Sequence, residues 1–253
     1  MADGSGHAPG AARVIYLTGA TNDAVEPLLI AAGVGLMCQP GNGYHRRIGR
    51  YPVWAADNGA FAGNWIEDVH MDWLGALPDR PRCLFAVAPD VYPDASASLE
   101  RGLSFAPAIR SMGFPVAVVA QDGAEQLDWT HAWDEMDCLF IGGKQRTPGW
   151  SEWKESEAAA GLVRQARRRG KWVHMGRVNS PRRLWRAWQM GCQSADGTLI
   201  KHLRRQRRCE TPQERDRRFR RDLTVFIQAL GHAPLPLEQW ETPSAPLHRE
   251  LSL

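Results

Sequence analysis

The sequence has little that would indicate a metal, a disulfide framework or a membrane. Its five cysteines, Cys38, Cys83, Cys138, Cys192 and Cys209, are scattered without a CxxC pair, so they form neither a zinc signature nor a stapled scaffold. That usage fits a reducing compartment, and the expected location is cytoplasmic. The histidines His70, His131, His174 and His202 form neither HxH nor HExxH, the spacings that bring two imidazoles to one ion. No metal or other cofactor is expected. No apolar run approaches the roughly 18 residues that a bilayer requires, and residues 1–12 lack the charged-then-apolar order of an export signal. That opening reads as a mobile tail, and no membrane partner is expected.

What is present is an ordinary globular inventory with two excesses. Hydrophobic residues make up 43% of the 253 residues and charged residues 23%, enough apolar material for a sizeable core. Eleven Trp stand against only four Tyr, a surplus that serves cores, partner surfaces or base-stacking walls equally well. The second excess is local. The formal charge is +3, yet residues 201–221 hold ten basic side chains (Lys201, Arg204, Arg205, Arg207, Arg208, Arg215, Arg217, Arg218, Arg220, Arg221) against Glu210, Glu214 and Asp216.

Eight short apolar runs recur along the chain, at 14–18, 34–39, 53–57, 83–90, 116–121, 138–142, 172–176 and, more weakly, 193–198. Most lack polar alternation, the pattern of parallel strands covered on both faces. Helical patterns fill the gaps most clearly at 23–33, 95–112, 151–169 and 180–190. Ser180-Pro181 has the form of an N-cap followed by Pro at the first helical position. Eight such units predict a (β/α)8 TIM-type barrel over 13–232, closing in a basic C-terminal helical extension whose apolar end is 222–230. An open doubly wound sheet satisfies the same alternation. Pro234, Pro236, Pro243 and Pro246 mark 233–253 as a Pro-rich tail.

In a barrel the chemistry sits where the strands end. Those ends read Asp57-Asn58-Gly59, Asp90, Gln121-Asp122, Gly142-Gly143-Lys144, Met175-Gly176-Arg177 and Asp196-Gly197, bringing carboxylates and an amide to one mouth. Asp or Asn beside Gly is also a common turn. The strand beginnings (Arg13, Tyr51-Pro52, Arg82, Phe114-Pro115, Asp137, Lys171) hold no comparable set. Several carboxylates in one pocket suit chemistry at an acetal-like carbon, where one ion attacks or stabilises a cationic sugar and another handles a proton.

The order of these motifs resembles the tRNA-guanine transglycosylase superfamily, and most closely its short phage-type relatives that place 7-deazaguanine bases in DNA. Ala56-Asp57-Asn58-Gly59-Ala60-Phe61 is similar to the family's Asp-Thr-Gly-Gly-Phe motif, which implies a proton-transfer role for Asp57. Val87-Ala88-Pro89-Asp90 and Val119-Ala120-Gln121-Asp122-Gly123 resemble the segments whose aspartate and glutamine hold the base. Leu139-Phe140-Ile141-Gly142-Gly143 is similar to the family's base-facing glycine turn. His174-Met175-Gly176, with Ser180-Pro181-Arg182-Arg183-Leu184, resembles Met-Gly-x-Gly-x-Pro-x-x-Leu. The resemblance thus implies substrate contacts from Asp90, Gln121, Gly142, Gly143, Met175 and Gly176. Gly191-Cys192-Gln193-Ser194-Ala195-Asp196 is similar to Gly-x-Asp-x-x-Asp, implying that Asp196 is the nucleophile. The family's zinc site of three cysteines and a histidine is missing, since only Cys209 follows Asp196, and so is its Cys-x-x-Pro-Thr-Arg continuation.

The resemblance implies a glycosyltransferase exchanging guanine in nucleic acid, DNA favoured over tRNA, for a 7-deazaguanine base such as preQ0. Lys201, Arg204, Arg205, Arg207 and Arg208 are the expected phosphate contacts. The same segment also reads as a solvated helix face with internal pairs among Glu210, Glu214 and Arg218. Three other readings fit the sequence as well: a barrel enzyme for a phosphorylated small molecule, a non-catalytic nucleic-acid-binding barrel, and a glycosylase that hydrolyses the covalent intermediate with water.

Overall fold

Eight runs of small, branched and aromatic residues form eight parallel strands: β1 (Ile15–Thr18), β2 (Gly35–Cys38), β3 (Trp54–Ala56), β4 (Cys83–Val87), β5 (Val116–Ala120), β6 (Cys138–Ile141), β7 (Trp172–Met175) and β8 (Ser194–Gly197). Each pairs with its neighbour in chain order, and β8 returns to β1. The closed ring of the computed structural model makes the chain a (β/α)8 TIM-type barrel and rules out the open sheet. Residues 14–19, 21–60, 63, 65–143, 152–203 and 209–230 are described. The expected tails at 1–12 and 233–253 lie outside them, as do Lys144, Trp150, Arg204, Arg205, Arg207 and Arg208.

Around the ring run α1 (Glu26–Ala31), α2 (Glu67–Gly75), α3 (Ala95–Ser111), α4 (Ala132–Glu135), α5 (Glu157–Arg168), α6 (Pro181–Met190), α7 (Leu199–Leu203) and α8 (Pro212–Ala229). Side-chain caps set several of the starts. Asp94, Ser156 and Ser180 each accept a backbone N–H three residues on, satisfying donors that a helix start leaves unpaired. The Ser156 cap corrects the expected helix over 151–169: Trp153–Glu155 is a 3-10 turn and α5 begins at Glu157.

Strand alternation divides the core into two layers. Leu17, Met37, Ala55, Phe85, Val87, Ala117, Val119 and Cys138 fill the barrel interior. Their strand neighbours, such as Tyr16, Leu36, Trp54, Ala86, Val118 and Ala195, face the helices. Burial of these two layers is the main force holding the ring, at about 25 cal/mol per Å² of apolar surface. The basic extension docks by the same means. Phe226 of α8 meets Tyr16 of β1 edge-on at 4.8 Å, and Leu223 and Ile227 are buried beside it.

Where β8 ends, space is short. A Cβ on Gly197 would lie 2.5 Å from Asn179 Oδ1, 2.6 Å from the Tyr16 hydroxyl and 2.7 Å from the Val178 carbonyl. Gly161 on α5 has nothing closer than 3.7 Å, the tip of Arg164. Gly197→Ala is therefore expected to destabilise by about 1–3 kcal/mol and Gly161→Ala to stabilise by about 0.5–1 kcal/mol. Urea unfolding of the two variants checks the opposite signs.

Candidate active site

The interior alternation also decides which residues reach the barrel mouth. Counting in twos from the buried interior leads from Ala55 to Asp57, from Val119 to Gln121, from Phe140 to Gly142, from His174 to Gly176 and from Ser194 to Asp196. These positions meet around one cavity, with about 560 Å³ of space including its open mouth. Met37, Asp57, Asn58, Val87, Asp90, Tyr92, Val119, Gln121, Phe140, Gly142, Gly143, Gly176, Arg177 and Asp196 line it. Of the expected site residues, Asp57, Asp90, Gln121, Gly142, Gly143, Gly176 and Asp196 are thus brought together. Met175 is not: one step out of phase with His174 and Gly176, its side chain is buried in the layer facing the helices, which corrects its expected substrate contact. Lys201 is exposed on α7, outside the cavity lining.

Asp57 follows β3 and is half-buried. Burial, then the negative charges of Asp196 and Asp90, push its carboxyl up to about 7, against a hydrogen bond from the Gly59 N–H. Such an acid can carry a proton in either direction near neutral pH.

Asp90 stands in a polar cradle. Asn58 Nδ2 donates to its Oδ1 at 2.9 Å, and Gln121 Nε2 donates to its Oδ2 at 2.7 Å. Asn58 is tied further to the Ala88 carbonyl, and Gln121 Oε1 accepts the Gly143 N–H at 2.9 Å. The amide of Gln121 is therefore fixed in orientation, and the Gly143 N–H is occupied by Gln121 and not offered to a ligand. Burial raises the Asp90 carboxyl above the ordinary carboxylate range, while the Asn58 and Gln121 donors hold it down. Each oxygen keeps a second acceptor site for a ligand.

Asp196 has different partners. His174 Nε2 lies 3.0 Å from its Oδ1, and the Arg177 N–H donates to the same oxygen at 3.1 Å. Below it, His174 Nδ1 is 2.8 Å from Ser194 Oγ, which accepts the Trp172 indole N–H at 2.8 Å. Lys154, buried, donates to the Gly176 carbonyl at 3.1 Å, and its charge is balanced by Glu152, which also pairs with Arg183. Arg177 reaches this position in the left-handed region, at φ 58°, unusual for a residue with a Cβ.

Asn58, Tyr92, Arg177, His174 and Ser194 are the site residues that motif reading missed. His174 and Ser194 were legible by parity, two residues before Gly176 and Asp196 on adjacent strands. Lys154 carries no such signal, because it comes from the irregular segment before α5. Trp153, in the segment after β6, donates its indole N–H to Glu125 and packs against the core. Among the described residues no three His, Cys, Asp or Glu side chains are grouped to hold a metal ion, and no helix is long and apolar enough to cross a membrane.

The raised Asp57 carboxyl makes stability depend on pH. It binds its proton more tightly folded than unfolded, so between its ordinary value of 3.8 and about 7 the folded state holds more protons and stability falls as pH rises. Asp57→Asn removes that cost. The variant is expected to be more stable than the parent above pH 7, by on the order of 2 kcal/mol, with the gain vanishing towards pH 4. Urea unfolding across this pH range measures it.

No protein-family model matches the chain, and no curated protein matches it either.

Proposed function

We propose that the chain is a glycosyltransferase that exchanges guanine in nucleic acid, DNA in preference to tRNA, for a 7-deazaguanine base such as preQ0, through a covalent aspartyl intermediate. The observation that carries this reading is the meeting of Asp57, Asp90 and Asp196 around one cavity, each in a different environment. One is a proton carrier, one is braced by two amides, and one is anchored through a single oxygen.

In the first half of the reaction Asp196 Oδ2 forms a bond to C1′ of the target nucleotide. The C1′–N9 bond breaks, its electron pair going to N9, which takes the proton of Asp57. In the second half the incoming base attacks C1′ through N9, gives its proton to Asp57, and the ester bond breaks with its pair returning to Asp196. Two inversions retain the configuration. Asp90 suits a guanine edge because the free acceptor sites of a braced carboxylate take two neighbouring N–H groups at once, a pair that adenine lacks. The target nucleotide enters either from a single strand or by flipping out of a duplex.

Phosphate contacts are assigned to Lys201 and to Arg204, Arg205, Arg207 and Arg208. Further along, much of the charge is matched within the chain. Arg218 pairs with Glu210, Arg220 with Asp216 and Arg221 with Asp222, which supports the solvated-face reading for that part of α8. The cavity is a poor fit to a phosphorylated small molecule, since three carboxylates and one arginine line it. A carboxyl whose proton is held up to about 7 in a cleft favours chemistry over a scaffold.

Radiolabelled guanine incubated with the protein is expected to enter DNA, and to enter tRNA less or not at all. Asp196→Asn should lower incorporation by about a thousandfold or more. Label in neither polymer overturns the proposal. Because the first half needs Asp57 protonated, single-turnover adduct formation should fall about tenfold per pH unit above 7, and Asp57→Asn should remove that limb. A rate indifferent to pH between 6 and 9 would count against Asp57 as the acid.

A further inference from the structure

We infer that His174 is a positioning residue that fixes which oxygen of Asp196 reacts and stabilises that carboxylate as it leaves; the role rests on the function proposed above. Two observations set the direction of the hydrogen bonds: a carboxylate such as Asp196 can only accept, and Ser194 Oγ, which takes the Trp172 indole N–H at 2.8 Å, has no acceptor for its own hydrogen among the described residues other than His174 Nδ1, 2.8 Å away. Nδ1 is then an acceptor, and the ring proton sits on Nε2, 3.0 Å from Asp196 Oδ1. A ring protonated on both nitrogens would leave the Ser194 hydrogen without an acceptor among the described residues. His174 is fully buried, with the rings of Phe85 and Phe140 centred 4.9 and 4.6 Å from its own, so it is held in place by packing.

A second donor reaches the same oxygen by a different route. The peptide between Gly176 and Arg177 gives its N–H to Asp196 Oδ1 at 3.1 Å and takes the Lys154 ammonium on its carbonyl at 3.1 Å. The buried cation polarises the amide towards Asp196. Both donors therefore converge on Oδ1, while Oδ2 takes no hydrogen bond from a described residue. Oδ2 is the oxygen left to attack C1′.

After the attack Oδ1 is the carbonyl oxygen of the sugar ester and keeps its two N–H donors. When the ester breaks, the electron pair of the C1′–Oδ2 bond spreads over the carboxylate and onto Oδ1, where those donors meet it. They oppose the nucleophile slightly and favour the leaving group. Losing His174 therefore slows the second half of the exchange more than the first.

The test uses the full chain with single-stranded DNA and guanine. His174→Leu is expected to exchange about 10–100-fold more slowly while a larger share of the protein stands as covalent adduct on denaturing gels. His174→Gln, whose amide donates to Asp196 and accepts from Ser194, should restore both to within about tenfold of the parent. Long-range 1H–15N spectra of the parent should show the neutral ring with its proton on Nε2. Circular dichroism establishes that each variant folds. Adduct and exchange falling in proportion, neither changing, or a proton on Nδ1 overturns the inference. A parent protein forming no adduct at all overturns the function proposed above together with the leaving-group role, and the tautomer spectra still decide the hydrogen-bond chain.

Discussion

Closure of β8 onto β1 is the constraint on which the site depends. The pairs Ile15 with Ser194, Tyr16 with Ala195, Leu17 with Asp196 and Thr18 with Gly197 set the phase of the last strand. Side chains alternate in twos, so a slip of one residue would turn Asp196 towards the helices and Ala195 into the cavity. The same ring of parallel hydrogen bonds carries Asp57, Gln121, Gly142 and Gly176 to the mouth from four other strands. No single strand contains the site; the closed register assembles it.

Once assembled, like residues differ because their neighbours do. Asp57 has burial and two nearby carboxylates against the backbone N–H groups of Gly59 and Asn58, and its proton is held up to about 7. Asp90 is also half-buried, but two amides answer its charge. Asp196 is anchored at one oxygen by an imidazole and a backbone N–H. Division of labour among identical side chains arises from environments of this kind, in which desolvation, neighbouring charge and hydrogen bonding are weighted differently.

The architecture was largely legible in the sequence, because buried parallel strands are short apolar runs and their ends are marked by Asp, Asn, Gln or Gly. Asp57, Gln121 and Asp196 could be placed from that pattern alone. Met175 could not be placed from a motif, since a motif preserves order along the chain and not the face of the strand. The same phase that hides Met175 behind the barrel puts His174 inside it. Lys154 was beyond sequence reasoning for another reason, since it arrives from an irregular turn before α5; Arg177 was legible as part of a strand end, but its N–H contact with Asp196 depends on a left-handed backbone that no periodicity signals. The expected helix over 151–169 overran its start because Ser156, a cap within the span, was read as an interior residue.

Glycine explains how the last three strands come close enough for the Asp196 anchor to exist. A Cβ on Gly176 would stand 2.6 Å from the Phe140 ring, and one on Gly197 2.5 Å from Asn179 Oδ1. With hydrogen there instead, the Phe140 ring lies over the end of β7 and still flanks His174. Asn179 Oδ1 is then free to accept the Thr198 N–H at 2.7 Å, and the Val178 N–H donates to the Asp196 carbonyl at 2.6 Å. The turn after β7 is stitched to β8 on both sides of Asp196, and the Arg177 N–H is delivered to its carboxylate as a by-product of that stitching. A larger residue at Gly197 would press on Asn179 and the Val178 carbonyl and push the turn away from β8, and one at Gly176 would displace the Phe140 ring that flanks His174, so the anchor would be disturbed before any catalytic side chain had been changed.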